Sequence, residues 1–200
     1  MPAAVKRSKR ELTRYKVIRA AIDCIYEEGF YSAHTNRIAE RAGVSWGVIQ
    51  YHFGDKDGLL QAVLDEIFNH FADTLAHTDL SDKQLKLRIR SLISVIWSLV
   101  SKREYRVSNA ILRNAGLSKG SSINGQKQLN SWANKITQLW SQVFTGLIDE
   151  PANSETVKRL MFATLRGLAD ELNPTGRTSQ KALEVEFDAL GDALTFLLEK

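Results

Sequence analysis

Apolar side chains recur every three or four positions along most of the chain, which is the spacing of amphipathic helices. This spacing predicts nine helices, at about 11–29, 35–42, 45–53, 56–77, 82–101, 103–115, 123–148, 154–172 and 179–199. No segment shows the strict alternation of a half-buried strand. Because only three prolines interrupt the pattern, we expect an all-α fold.

Glycine and polar residues separate the predicted helices. Gly29 and Gly43 are expected to end the first two helices in a left-handed conformation. Ser45 and Asp55 are placed to cap the third and fourth helices. The segment 116–122, GLSKGSS, is the clearest internal loop.

Two domains follow from this order. A basic arm and three short helices form an N-terminal domain over 1–55, and longer helices form a second domain over 56–200. The predicted fourth helix carries a wide apolar stripe and would bury against both domains. It is therefore a natural mechanical link between them.

Positive charge is concentrated at the start of the chain. The net charge is +4, but residues 1–20 hold seven basic side chains against one acidic side chain, a net charge of +6 that leaves −2 for the rest. A basic arm on a nearly neutral body favours a polyanionic partner. The first four arm cations, Lys6, Arg7, Lys9 and Arg10, are suited to screening phosphates or to reaching an adjacent minor groove.

The remaining composition is that of a soluble globular protein, with 44% hydrophobic and 25% charged residues. No stretch reaches 18 apolar residues, and the charged N-terminus lacks the apolar core of a signal peptide. The single cysteine excludes an internal disulfide, and Cys24 lies among apolar neighbours as a buried, inert thiol. We expect a cytoplasmic protein.

The segment 35–56, TNRIAERAGVSWGVIQYHFGDK, joins two short helices through a glycine turn. In the second helix Val48, Ile49 and Phe53 fit a core. The outer face is left with large polar or aromatic groups and one glycine: Trp46, Gly47, Gln50, Tyr51 and His52. A compact helix-turn-helix with such a face, behind a basic arm, is suited to enter the major groove of DNA.

Several of these side chains can read base edges. Asn36 and Gln50 can each pair bidentately with an adenine. Trp46 and Tyr51 can pack on thymine methyl groups or sugars, and the Tyr51 hydroxyl can reach a phosphate. His52 can donate to a phosphate or accept from a base.

Other residues of the segment suit the phosphate backbone. Thr35, Ser45 and Lys56 lie at or near helix starts, where backbone amides and the helix dipole favour anions. Gly47 has no Cβ, which would let its helix approach the DNA backbone. Such contacts position a protein on DNA without reading its sequence.

The segment 38–60, IAERAGVSWGVIQYHFGDKDGLL, resembles the TetR family of bacterial transcriptional regulators. The shared features are Ile-Ala, then Ala-Gly-Val-Ser, a glycine, an aromatic-rich stretch ending in Phe, and a lysine before a leucine-rich helix. The Glu-Gly-Phe at 28–30 resembles the end of the family's first helix. Lys56 is similar in place to the family's phosphate-contacting lysine.

The resemblance implies a homodimer of all-helical protomers. It implies that helices one to three bind DNA and that helices four to nine form a regulatory body. Family members usually repress transcription and release DNA when a small molecule occupies the body. We therefore expect a repressor on a roughly palindromic operator, with half-sites about one helical turn, roughly 34–36 Å, apart.

Two positions depart from the family pattern. Gln50 stands where an aromatic residue is frequent, so the base preference should differ. His34 stands where many members carry a Thr or Ser cap for the second helix, and Thr35 follows it.

A ligand site and a dimer interface are predicted in the C-terminal domain. Aromatic walls with a few polar groups suit an organic ligand in a bundle core, although the same tryptophans can simply fill that core. The candidate ligand residues are Trp97, Tyr105, Asn109, Arg113, Trp132, Trp140 and Phe144. The last two helices have strong apolar faces that can pair with those of a second chain. The candidate interface residues are Leu165, Leu168, Phe187, Leu190 and Leu194.

No enzyme, cofactor or metal site is expected. The histidines at 34, 52, 70 and 77 form no close pair, and no Gly-rich phosphate loop or Gly-x-Ser-x-Gly occurs. Two other functions stay open: an architectural DNA-binding protein of the same fold without an inducer, and a helical small-molecule carrier. Substituting Gln50 and Tyr51 by Ala separates the carrier, which would keep its ligand affinity, from a DNA-binding protein.

Overall fold

The computed structural model describes residues 8–80, 84–115, 130–132, 134–135, 137–140, 153–172 and 178–200. Within those residues every regular element is helical, which confirms the predicted fold class. The helices are α1 Lys9–Glu28, α2 Thr35–Ala42, α3 Trp46–Phe53, α4 Lys56–Ala76, α5 Leu85–Val100, α6 Arg103–Ala115, α8 Ser154–Leu172 and α9 Glu184–Leu198. Helical residues within 130–140 represent α7.

The bounds of α2, α6 and α8 agree with those predicted from the spacing of apolar residues. The last helix differs, because a 3₁₀ turn, Gln180–Leu183, precedes α9 where one continuous helix was predicted. The buried Leu183 has φ −117° and ψ 22°, outside the helical region, and this interrupts the helix. The loop 116–122 and most of the seventh predicted helix lie outside the described residues.

The described residues form two compact units. The first holds those up to Phe68 together with those from Arg106 to Ala115, and the second holds those from Asn69 to Tyr105 and from 130 onward. Helices α4 and α6 therefore contribute residues to both units. The domains predicted at 1–55 and 56–200 remain a proposed functional division.

The first unit is held together by the apolar stripes of short helices. In α1 the buried stripe includes Val17, Ala21 and Ile25, while α3 buries Ile49. Burying one such aliphatic side chain stabilises a fold by about 1.5–3 kcal/mol. Cys24 lies in this core as predicted, and burial raises the pKa of its thiol.

The turns around α2 show where the predicted caps form. Gly43 has φ 59° and ψ 42°, the predicted left-handed conformation, and its N–H donates to the carbonyls of Ala39 and Glu40. Gly29 has a positive φ of 86°, but its ψ of 160° is extended, so the left-handed helical cap predicted there was wrong. The chain at Gly29 leaves α1 in an extended direction and does not curl back over the helix end.

The caps of α3 and α4 also differ from each other. The Asp55 carboxylate accepts from the N–H of Gly58 at 2.7 Å, which confirms the predicted cap of α4. Ser45 occupies the N-cap position of α3, but its side chain makes no capping hydrogen bond. Its hydroxyl is therefore not used in holding the helix.

The second unit is built around α5. The described contacts pair α5 with α8 and α9, and α8 with α9. In the core of this unit the ring centroids of Trp97 and Phe187 lie 5.4 Å apart in an edge-to-face arrangement. On the surface, Arg90 pairs with Asp188, and Lys86 pairs with Asp192 at 2.6 Å. Both ion pairs connect α5 to α9.

Substitution of Gly58 by Ala should destabilise the first unit. A Cβ at Gly58 would overlap the carbonyl oxygen of Phe53, the last residue of α3, and backbone cannot yield as a flexible side chain can. We expect a loss of about 1–3 kcal/mol in the free energy of unfolding, measured by urea denaturation.

Gly47→Ala is the matched control, because the nearest atom to its added Cβ is Ser45 Oγ at 3.8 Å, an ordinary contact. This variant should retain its stability or gain up to about 1 kcal/mol, since Gly is a poor helix former. Equal unfolding free energies for the two variants would contradict the assigned contact.

Candidate nucleic-acid interface

Helices α2 and α3 form a helix-turn-helix whose inner side is buried. Ile38, Ala39 and Ala42 of α2 are excluded from water, as is Ile49 of α3. The tight turn is closed by the N–H of Val44, which donates to the carbonyl of Ala39 at 3.0 Å. Burial of one side of α3 leaves the opposite side directed away from the core.

The exposed side of α3 carries the predicted base-reading groups. Gln50 is exposed, and the Tyr51 side chain is 72% exposed despite its size. Gly47 is also exposed, whereas Trp46 and His52 are half-buried. An exposed amide beside an exposed phenol supplies hydrogen-bond donors, an acceptor and an aromatic face, which together can contact base edges and methyl groups.

The aromatic rings of α3 contact each other. The centroids of Tyr51 and His52 lie 5.2 Å apart with a 79° interplanar angle, and His52 lies 6.0 Å from Phe53. His52 is therefore part of an aromatic row along the helix. Its partial burial limits how far it extends from the surface.

The predicted phosphate-contacting residues lie at the starts of three helices. Thr35 is half-buried at the first turn of α2, beside the exposed Asn36, which was predicted to read a base instead. The exposed Ser45 precedes α3. His34, which departs from the family pattern, is the N-cap of α2 and makes no side-chain capping bond. Lys56 begins α4, and its Nζ lies 5.4 Å from the centroid of Phe30.

Sequence reasoning missed two contacts between α1 and α3. Arg10 Cζ lies 5.7 Å from the centroid of Tyr51, and Arg14 Cζ lies 4.8 Å from that of Phe53. Both distances are those of cation–π interactions. The spacing of four between the arginines places them on one side of α1, but nothing in the sequence shows which rings they face.

A second arginine pair has a different role. Arg37 bonds Glu28 at 3.1 Å and Glu40 at 2.9 Å, and Arg41 bonds Glu27 at 2.5 Å. Hydrogen bonds to Glu28 and Glu40 raise the pKa of Arg37, and the hydrogen bond to Glu27 raises the pKa of Arg41. These arginines tie α2 to the end of α1, and their charges are already compensated.

The predicted ligand residues that the structure describes are divided between the two units. Trp97, Trp132 and Trp140 are buried and Tyr105 half-buried in the second unit. Asn109 is half-buried and Arg113 exposed, and both belong to the first unit, whereas Phe144 lies outside the described residues.

Two cavities of the second unit differ greatly in size. A cavity beside Trp140, lined also by Ile96 and Phe162, has a volume of about 20 Å³, which is room for one water molecule. An open groove of about 490 Å³ lies along α5 and α9, where Ser94 and Gln180 contribute polar groups. Of these two cavities of the described residues, the groove has the dimensions of an organic-ligand site.

Each residue predicted at the dimer interface packs, at least in part, against the core of the second unit of its own chain. Leu165, Phe187 and Leu194 are buried in the core of the second unit, and Leu168 and Leu190 are partly buried against it. The exposed large apolar side chains of α8 and α9 are Leu160, Leu172, Val185 and Phe196.

The part of the chain that the structure describes has neither a metal-binding cluster nor a membrane-spanning helix. No group of three or more His, Cys, Asp and Glu side chains lies in a position to hold a metal ion. Among the helices in the described ranges, none is long and apolar enough to cross a membrane.

Residues 17–63 match the family model described as bacterial regulatory proteins, tetR family. The chain is 33% identical over 90 residues to the HTH-type transcriptional regulator BetI of Klebsiella pneumoniae, a match that covers 44% of this chain and 46% of that protein. The chain thus spans less than half the length of this curated relative.

The fold is also similar to solved structures over nearly the whole chain. GusR of Salmonella enterica has a TM-score of 0.74 at 22% identity, covering 98% of this chain and 100% of that chain. A transcriptional regulator from Rhodococcus has a TM-score of 0.72 at 22% identity, and the match covers 90% of this chain and 95% of that chain. At these identities the likeness establishes the fold alone.

Proposed function

This chain belongs to the TetR family of bacterial regulatory proteins, and we propose on that premise that it is a sequence-specific DNA-binding transcriptional regulator. The observation that carries the proposal is the exposed side of α3, where Gln50 and Tyr51 project from a helix whose other side is anchored by Ile49. In this proposal α3 lies in the major groove and α2 crosses the backbone.

The surrounding charge supports DNA as the partner. Lys9, Arg10, Arg14 and Lys16 are exposed on α1, and Lys56 begins α4. None of the five is in a described ion pair, in contrast to Arg37 and Arg41. These side chains supply the phosphate contacts, while Asn36 and Gln50 supply the base contacts. The proposed location is the cytoplasm, where chromosomal DNA is the target.

Selection of bound duplexes from random DNA tests this function. We expect a roughly palindromic site with half-sites about one helical turn apart, and an affinity that falls with a log–log salt slope of about −4 or steeper, since each neutralised phosphate contributes roughly −0.9.

Gln50→Ala should lose about 1–3 kcal/mol of discrimination at one base pair per half-site. Gly47→Ala should instead weaken binding to all duplexes alike, because the added Cβ would prevent α3 from approaching the DNA backbone closely.

The outcomes distinguish the alternatives. An architectural protein would bind duplexes with a steep salt response but select no sequence. A carrier would bind no duplex, and a flat salt response would contradict the phosphate contacts.

The proposed active form is a homodimer formed through α8 and α9. Val185 is 79% exposed and Phe196 56% exposed, and such apolar surface is suited to a second copy of the same helices. Replacing both by Lys should weaken the dimer at least tenfold in sedimentation velocity. Leu87→Lys, at an exposed leucine of α5, is the control and should leave the dimer unchanged. A wild-type protein that stays monomeric at micromolar concentration would contradict the proposal.

A small-molecule effector is proposed to release the protein from DNA, so that the regulator acts as a repressor. The effector would shift the population of α4, which has residues in both units, towards a form that misplaces α3. Isothermal titration against candidate compounds should identify one that also lowers operator affinity. The groove beside Ser94 and Gln180 is the first site to test, by Gln180→Ala. Compounds that bind without changing operator affinity would count against release.

A further inference from the structure

We propose that Arg10 is a positioning residue for DNA recognition, which holds the Tyr51 ring in its recognition geometry. The inference rests on the proposed function, because it assigns a way in which the same interface is prepared. It gives Arg10 a role that Lys9, its neighbour in the first turn of α1, does not have in the described structure.

The start of α1 is held firmly enough to act as a support. Ser8 and Glu11 form a reciprocal capping box, in which the Glu11 N–H donates to Ser8 Oγ at 3.2 Å and the Ser8 N–H donates to Glu11 Oε2 at 2.7 Å. Arg10 lies between these two residues, in the first turn of the helix. The capping box therefore stabilises the turn of α1 that carries Arg10.

The Tyr51 ring is contacted from two directions. The Arg10 guanidinium carbon lies 5.7 Å from the ring centroid, and the His52 ring meets it edge-on at 5.2 Å. The side chain nevertheless stays 72% exposed, so these contacts orient the ring without covering it. The hydroxyl and part of the ring remain accessible to a partner.

Arg14, one turn further along α1, makes a parallel contact with Phe53 at 4.8 Å. Phe53 is half-buried, and it is the last residue of α3. The two arginines thus both lie on the side of α1 that contacts the rings of α3. Arg14 supports the end of the helix, and Arg10 supports the exposed ring.

Fixing a side chain before binding lowers the entropy that the complex must lose. Without the Arg10 contact, the Tyr51 side chain would lose its conformational freedom only when DNA binds. With the contact, that side chain is already oriented in the free protein. Arg10 also keeps its charge and its exposure, so it can contact a phosphate as Lys9 can. Arg10 and Lys9 are both exposed cations of the first turn, but in the described structure Arg10 contacts an aromatic ring and Lys9 does not.

This difference allows a matched test by fluorescence anisotropy, using the selected duplex and a scrambled duplex across a salt series. Arg10→Ala and Lys9→Ala should each reduce the salt slope by about 0.9 per protomer, as the loss of one phosphate contact does. Arg10→Ala should in addition reduce the ratio of selected to scrambled affinity by about two- to fivefold per protomer, the effect of one exposed cation–π contact. Arg10→Lys should restore the slope and only part of the ratio.

A double-mutant cycle with Tyr51→Leu assigns the effect to the ring. In the Tyr51→Leu background Arg10→Ala should no longer change the affinity ratio. All the substituted residues are exposed, and circular dichroism melting curves should show that the variants fold as the wild type does.

The proposal is overturned if Arg10→Ala, like Lys9→Ala, lowers the affinities for the selected and the scrambled duplex by the same factor. It is also overturned if Arg10→Ala still lowers the affinity ratio in the Tyr51→Leu background. In those cases the regulator function stands and Arg10 is an ordinary phosphate contact. If wild-type protein selects no duplex, the proposed function fails and the positioning role fails with it.

Discussion

The burial of one side of α3 is the constraint on which the rest of this structure depends. The helix has only eight residues, and isolated helices shorter than about 12–15 residues are marginal in water. It exists because Ile49 is fully excluded from water and because the turn at Gly43 brings α2 beside it. The same burial decides which side chains are left outside. The proposed recognition surface is thus a consequence of the core of the first unit.

The charges around this core fall into two groups with separate roles. Arg37 and Arg41 are bonded to glutamates and fasten α2 to α1. Arg10 and Arg14 have no described carboxylate partner and lie against the rings of α3. A count of basic residues would treat all four alike. Their surroundings show that one pair fastens the helix-turn-helix to α1, whereas the other pair lies against aromatic rings. The proposed function assigns the charge of this second pair to DNA phosphates.

The sequence was sufficient to predict the helices of the first unit and the outward face of α3. Apolar spacing marked Ile38 and Ile49 as core, and Gly43 marked the left-handed turn. It could not predict contacts between helices, since the rings facing Arg10 and Arg14 depend on how α1 crosses α3. The strong apolar faces of α8 and α9 also do not show which leucines a single chain already buries. The extended ψ at Gly29 had no sequence signal that distinguished it from the left-handed turn at Gly43.

The central claim is that the exposed side of α3 lies in the major groove of DNA. Methylation interference on a selected duplex with guanines in both half-sites tests it most directly, because dimethyl sulfate modifies guanine N7 in the major groove and adenine N3 in the minor groove. The account predicts that N7 methylation within two half-sites, one helical turn apart on one face of the duplex, blocks binding. Binding that is blocked only by N3 methylation, or by neither modification, would contradict it.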